Sequence, residues 1–364
     1  MGVKLQNIII RNNIEYKELA GKIIAIDAPN IIMGLFNFTR KNPDGLNPGF
    51  ILDRTQRPIS HLYGLLYRIN YYYSKKIFPI FCFDGKVSVL KRLITKDQLK
   101  DFIFTKKWYQ EAIKNGNKNL AQKIALSKEY MWQNVINESK QLLGGLGVPY
   151  IESPASAESQ CAFLVQKNIV NYSVSQDFDS LLFGCPNLIQ NLSKSLRRKI
   201  QGKWQYQKIQ PILINLEKNL VNLGISIFQL IDIGILIGTD YFSGVFSFGP
   251  KKALSLIRKY KSLETLILKE YRNHDFSDLN PEIIKKVRKI FLFPEINERL
   301  DDLMWNSPNK SKIFSLLCKE HNLNKKRVER SLDKFEENYK ICRKYFLHQI
   351  TQPKKFQTTL DRIL

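Results

Sequence analysis

Hydrophobic positions in this chain come in short blocks, and several of those blocks stop at an acid. Residues 22–27, Lys-Ile-Ile-Ala-Ile-Asp, form an apolar run that ends in Asp27. Runs of this length without alternation suit strands of a parallel sheet that is covered on both faces. Ile77 to Phe83 repeats the pattern and gives way to Asp84-Gly85. A further strand is predicted over 148–151, and another over Ile169 to Val174, which runs into Asp177-Phe178-Asp179. His61 to Tyr73 carries apolar residues at helical spacing and reads as a crossover helix between the first two strands. Strands alternating with helices predict an α/β fold.

The same reading continues along the chain. Val135 to Leu143 has helical periodicity and is predicted to stop at Gly144-Gly145. Ser153 reads as a helix cap with Pro154 at the first helical position, which puts Glu158 in the first turns of a helix reaching Lys167. Leu196 to Trp204 is a basic hairpin or loop. Ile227 to Ile237 is an apolar helix that runs into Gly238-Thr239-Asp240. Residues 255–337 are helical by pattern, with Pro281, Pro294 and Pro308 at boundaries. From about Asn338 the chain is basic and is expected to be flexible.

Charge changes this picture more than composition does. Lys+Arg of 57 against Asp+Glu of 33 gives a net charge of +24. An imbalance of that size points to a polyanionic partner, nucleic acid ahead of a membrane surface. No apolar run is long enough to span a bilayer. The first residues lack the apolar core of a signal peptide, and five scattered cysteines without a C-x-x-C pair read as reduced thiols in a cell interior. Residues 86–140 interleave lysines with aromatics and few acids. That pattern suits a solvated helical pair, with a turn at Asn115-Gly116-Asn117, as well as a surface that grips a phosphate backbone.

Because acids are scarce, their positions carry information. Asp177 and Asp179 alone would be a polar turn more readily than a metal site. Asp27, Asp84, Glu158, Asp177, Asp179 and Asp240, however, all sit at strand ends or helix termini. In open α/β sheets ligands gather beyond the carboxyl ends of the strands. A set of oxygen ligands converging there suits hard divalent ions, Mg2+ or Mn2+. Two such ions about 3.5–4 Å apart serve phosphodiester hydrolysis. Neither zinc spacing, nor a Ser/His/Asp order, nor a P-loop is present in the sequence.

At these residues the chain resembles the flap endonuclease group of the XPG-type structure-specific nucleases. The resemblance runs from Met1-Gly2-Val3 onward. It rests on Ala25-Ile26-Asp27-Ala28, Phe83-Asp84-Gly85-Lys86, Ala157-Glu158-Ser159-Gln160, Gln176-Asp177-Phe178-Asp179 and Ile237-Gly238-Thr239-Asp240-Tyr241. Gly249-Pro250-Lys251-Lys252-Ala253 and Phe291-Leu292-Phe293-Pro294-Glu295 extend it. The resemblance implies a PIN-like parallel sheet flanked by helices, a helical arch insertion and a helix–hairpin–helix type DNA clamp.

It further implies one nuclease domain over 1–337, with an N-terminal nuclease region to residue 108. The arch would span 86–140, an internal region with the clamp 141–260, and a helical cap 261–337. The implied reaction is hydrolysis at the base of a 5′ flap in DNA replication and repair, by a monomer using two Mg2+ or Mn2+ ions. The six acids would be the ligands, with Lys91 beside the scissile phosphate. Gly2, Lys91, Arg92, Lys96, Lys100, Gly249, Lys251 and Lys252 would bind DNA, with K+ at the hairpin. The family setting makes the protein cytoplasmic if archaeal and nuclear if eukaryotic.

This chain departs from the family's pattern at four places. Ser156 stands where the family has a second glutamate, Gln98 where it has an arginine, Met33 where many members have a stacking tyrosine, and Ser247 replaces a hairpin glycine. The first two motivate an alternative, a flap-DNA-binding paralogue with weak or no catalysis. Gln357, Leu360, Ile363 and Leu364 at the end resemble a sliding-clamp-binding peptide, PCNA-like, with an aliphatic pair where an aromatic one is usual.

Overall fold

The computed structural model describes residues 2–36, 39–41, 48–85, 95–193, 195–200, 203–300 and 303–351. At its centre lies the run that ends in Asp27. Strand Ile23–Asp27 is buried at every position, as befits a strand with neighbours on both edges and helices over both faces. Phe78–Phe83 pairs with it in parallel on one side, aligning Ile26 with Phe81 and Asp27 with Cys82. Tyr172–Val174 pairs in parallel on the other, with Ile26 opposite Val174.

The full sheet has seven strands. Its order is Asn12–Asn13, Ile212–Asn215, Asn187–Gln190, Tyr172–Val174, Ile23–Asp27, Phe78–Phe83, Tyr150–Glu152. The expected parallel sheet is present and carries two antiparallel-paired strands at one edge. Ile212–Asn215 runs antiparallel to Asn187–Gln190, and Asn12–Asn13 antiparallel to it in turn. The physical reason lies in the connection. A hairpin, Ser195–Ile200 with Lys203–Lys208, returns the chain without the helical crossover that a parallel neighbour requires.

The chain first builds outward from Ile23–Asp27 through Phe78–Phe83 to Tyr150–Glu152, then crosses back to Tyr172–Val174. The sheet thus reverses its winding at its central strand, and its carboxyl ends open a crevice there. Helix Ser60–Ser74 makes the predicted crossover, burying His61, Leu62, Leu65, Leu66, Ile69, Tyr72 and Tyr73. The insertion holds helices Thr95–Lys114, Lys118–Ala125 and Lys128–Leu146. The predicted turn after Lys114 is present, with Asn117 capping the second helix through the Leu120 N–H. A small satellite core of Tyr109, Ala112, Ala121 and Ala125 holds the first two together. The third runs past Gly144 and Gly145, where it was expected to stop, and ends at Gly147 in the left-handed conformation at φ 70°. A glycine inside a helix costs only about 1 kcal/mol.

The C-terminal region differs most from expectation. Helix Lys325–Thr351 continues through the stretch expected to be flexible from Asn338. Tyr339, Cys342 and Phe346 are buried in it, and Phe346 lies edge-on to Phe78, ring centroids 4.9 Å apart. Trp305 also packs on Phe78 and donates its indole N–H to the Pro79 carbonyl at 2.9 Å. These aromatics cover one face of the sheet. Among the described residues no single helix is long and apolar enough to cross a membrane.

Candidate active site

Asp27 ends the central strand and is 3% exposed. Its carboxylate accepts from the Ser175 hydroxyl at 2.8 Å and from the Asn30 N–H at 3.3 Å. Burial and the repulsion of Asp84 nevertheless raise its pKa to about 7. Asp84 follows the next strand and is itself exposed; its Oδ1 accepts from the Ala157 N–H at 2.8 Å. Gly85 donates its N–H to the Ala155 carbonyl at 3.0 Å, and a Cβ there would overlap the Ser153 carbonyl. Only glycine fits so close an approach, so Gly85 locks Asp84 against the loop before Glu158.

That loop sets the helix differently from the sequence expectation. Ser156, not Ser153, is the cap of helix Ala157–Gln166, its hydroxyl accepting from the Ser159 N–H at 3.2 Å. Ser153 instead donates to the Ser156 carbonyl at 2.9 Å. Asp84 takes the Ala157 N–H, so the helix opens one turn later than Pro154 suggested. Glu158 remains in its first turn, half-buried.

On the other side of the central strand, Asp179 opens the short helix Asp179–Leu182 and is 4% exposed. It accepts the Val3 N–H at 2.9 Å. Burial, with Asp240 and Asp177 adding their charge, raises its pKa to about 7. Asp177 is half-buried and also raised, first by burial; the Asn30 amide, which donates to it at 2.9 Å, lowers it and Asp240 raises it. Asp240 follows Gly238, whose φ of 99° turns the chain out of helix Ile227–Ile237. Gly2 lies on this pair. A Cβ on it would stand 2.4 Å from Asp179 Oδ2 and 2.6 Å from Asp177 Cβ.

Sequence reasoning missed the residues that hold these acids in place. Asn30 spans the two sides, donating through its backbone to Asp27 and through its side chain to Asp177, while accepting from the Gln176 N–H at 3.0 Å. Ser175 donates to Asp27 and accepts from the Asp177 N–H at 3.2 Å. A signal for Asn30 existed, an asparagine three positions past the strand-ending aspartate in a helix's first turn. Among the described residues no three His, Cys, Asp or Glu side chains stand close enough to hold an ion as they are. The donors are nonetheless all carboxylate oxygens, and mutual repulsion is what a hard cation relieves.

Of the remaining predicted residues, Gly249 caps helix Pro250–Tyr260 without a side-chain bond, and Lys251 is exposed. Lys252 is half-buried, its ammonium 3.4 Å from the Ser247 hydroxyl. Met33 is 42% exposed on helix Ala28–Phe36. Lys96, Gln98 and Lys100 fall on helix Thr95–Lys114. Lys91 and Arg92, and Gln357, Leu360, Ile363 and Leu364, lie outside the described residues.

The XPG N-terminal domain profile matches residues 1–100 and the XPG I-region profile residues 147–240. Together these take in the edge from Asp27 through Asp240. Flap endonuclease 1 of Aeropyrum pernix is 35% identical over 344 residues, covering 93% of this chain and 96% of its own. That of Staphylothermus marinus is 37% identical over 345 residues with the same coverage. The structure of flap endonuclease-1 from Methanococcus jannaschii superposes with a TM-score of 0.68 at 26% identity, over 93% of this chain and 99% of that one. The chain belongs to the flap endonuclease family.

Proposed function

We propose that this chain is a structure-specific 5′-flap endonuclease, with 5′–3′ exonuclease action, that hydrolyses DNA phosphodiesters with two Mg2+ ions in replication and repair. One observation carries the reading. Asp27 and Asp179 are both buried at the carboxyl edge of the sheet, with other aspartates beside them and hydrogen bonds only from a hydroxyl and from amides. Membership in the flap endonuclease family supplies the substrate class. A protein that only binds DNA gains nothing from buried carboxylates that repel one another. The same observation weighs against the weakly active paralogue.

Asp27, Asp84 and Glu158 on one side, with Asp177, Asp179 and Asp240 on the other, would hold the ions. Bound there, the ions supply an activated water and positive charge at the leaving oxygen. The remaining work belongs to the chain. Asn30 and Ser175 hold Asp27 and Asp177 in fixed rotamers, so the ligands need little rearrangement. The Val3 amide holds Asp179, and Gly2 keeps the space over the aspartates narrow. Lys91 would lie beside the scissile phosphate, with Arg92, Lys96 and Lys100 among the DNA-binding residues, and the helical insertion would take the single-stranded 5′ end. Gly249, Lys251 and Lys252 bind the duplex backbone, with K+ at the hairpin. The segment from Gln357 to Leu364 docks on a sliding clamp.

Labelled 5′-flap DNA incubated with Mg2+ beside an Asp179→Ala control tests the reading. Cleavage at the flap base by the wild-type protein alone is expected. Tight flap binding with no cutting above the control would overturn it. Deleting 357–364 should weaken clamp binding while sparing intrinsic cleavage.

A further inference from the structure

Phe246 is 92% exposed, the most exposed of the large hydrophobic side chains among the described residues. Its surroundings are not loose. Val245 and Phe248 on either side of the tip are 8% and 9% exposed. Val245 donates its N–H to the Leu236 carbonyl at 2.8 Å, and Phe248 donates to the Val245 carbonyl at 3.1 Å. The Phe248 ring meets His274 edge-on at 4.8 Å and lies 6.0 Å from Phe276. Lys252 sits 4.8 Å over that same ring. The turn is thus anchored at both ends, and one aromatic ring projects from its tip.

The backbone keeps it there. Ser247 has φ 67°, in the left-handed region that a non-glycine residue seldom adopts. With Ser247 turned this way, Phe248 faces the core and Phe246 faces water. Leaving a phenylalanine exposed forgoes about 1.5–3 kcal/mol of burial. A strained turn that holds the ring out presents an apolar contact to whatever docks on this face.

The charge around the tip identifies that occupant's chemistry. Gly249, three residues on, opens helix Pro250–Tyr260, which has no acid in its first turn, and Lys251 and Lys252 follow at once. Any partner reaching this tip therefore meets cations within the same turn, and a polyanion with an apolar groove fits both. Duplex DNA has that combination. Its minor groove, about 6 Å wide, takes apolar side chains beside phosphates held by basic residues.

We propose that Phe246 is a duplex-contacting residue that seats its ring in the minor groove, beside the backbone whose phosphates Lys251 and Lys252 bind. This rests on the reading of the chain as a DNA nuclease, and it adds an apolar contact to an otherwise electrostatic clamp. The contact makes the hairpin favour double-stranded over single-stranded DNA, because only the duplex has the groove.

Full-length wild type, Phe246→Ala and Lys251→Ala are compared by fluorescence anisotropy on a 5′-flap duplex and on single-stranded DNA over a salt series. Phe246→Ala is expected to weaken duplex binding about tenfold, the order of one lost apolar contact. The slope of log K against log salt should not change. Lys251→Ala should lower that slope by about 0.9, one phosphate contact. The melting temperature of Phe246→Ala is unchanged, because the ring is 92% exposed. Duplex affinity equal to wild type overturns the proposal, as does an equal loss on single-stranded DNA. Wild-type protein with no affinity for flap DNA removes the nuclease reading itself, and this contact with it.

Discussion

Two groups of carboxylates are buried in this fold, and their surroundings treat them in opposite ways. Under the helical insertion, Asp53 and Glu138 are 7% and 8% exposed. His321 lies 2.7 Å from Asp53 and 3.3 Å from Glu138, His61 lies 3.1 Å from Glu138, and Arg57 lies 3.2 Å and 3.5 Å from the two acids. Burial alone would raise Glu138, but His321 and His61 outweigh it and hold it at about 2. Asp53 is lowered in the same way, chiefly by His321 against burial. At the sheet edge, by contrast, Asp27 and Asp179 are just as buried and stand at about 7. Their hydrogen bonds come from a hydroxyl and from amides, and the neighbouring aspartates raise them further. A carboxylate that serves the fold brings its cation with it, whereas one that serves a reaction is left for a cation from outside.

The sharpest break of this comparison is to remove one acid from each group. Asp179→Asn, which keeps an acceptor for the Val3 N–H, should lower flap cleavage at least about 100-fold, as loss of a metal ligand does. It should not destabilise the metal-free protein. At pH 8 it removes a repelled charge and is expected to raise stability by roughly 1–4 kcal/mol. Glu138→Gln should do the reverse, costing roughly 3–5 kcal/mol because the half-buried Arg57 guanidinium and the buried His321 and His61 rings lose their carboxylate partner. Urea unfolding of both variants with EDTA measures this. Equal losses would erase the distinction.

The next effect is in the pH dependence. Glu138 is depressed to about 2 in the fold, against an ordinary value near about 4.3 in the unfolded chain. Between those values the unfolded state binds the extra proton, so stability falls as pH falls. The contribution is complete above about pH 4.3, is lost through pH 2, and amounts to roughly 3 kcal/mol. Glu138→Gln should flatten this acid leg of the urea midpoint. A leg of unchanged steepness would mean that other carboxylates carry it.

Only one of the two groups was legible beforehand. Asp27 and Asp84 close apolar runs, so the pattern that predicts their strands also places them at strand ends. The paired group gave no local signal, since His61 meets Glu138 across 77 residues and His321 meets Asp53 across 268. The sequence places the cap at Ser153 rather than Ser156 because Pro154 suits a first helical position, and nothing local shows Asp84 reaching Ala157. The last helix left a signal that its charge hid. Val328, Leu332, Phe335, Tyr339, Cys342 and Phe346 are all buried at spacings of four and three, one stripe of a helix.

A smaller effect comes from supplying the cation. Mg2+ at about 100 times its dissociation constant should raise wild-type stability by about 2.7 kcal/mol. The rise should shrink in Asp27→Asn, which loses a proposed ligand, and persist in Phe246→Ala, which leaves the acids in place. Thermal melting over a Mg2+ titration reads both. An equal rise in Asp27→Asn would remove that residue from the ligand set.

The smallest effect tests whether one residue can serve both purposes. Ser156 is the helix cap, bonded to the Ser159 N–H, where the family has a glutamate. Ser156→Glu should therefore cost up to about 1 kcal/mol of cap stability in EDTA, partly offset by a negative charge near the helix N-terminus, about 0.3–1 kcal/mol. With Mg2+ the sign should reverse, because the added carboxylate joins the edge that holds Glu158 and Asp84. Lower stability without metal together with a lower Mg2+ midpoint would mean that this chain has exchanged some metal affinity for a better-capped helix. If neither quantity moves, the hydroxyl is doing no more than filling the position, and the difference between the two groups of acids does not extend to Ser156.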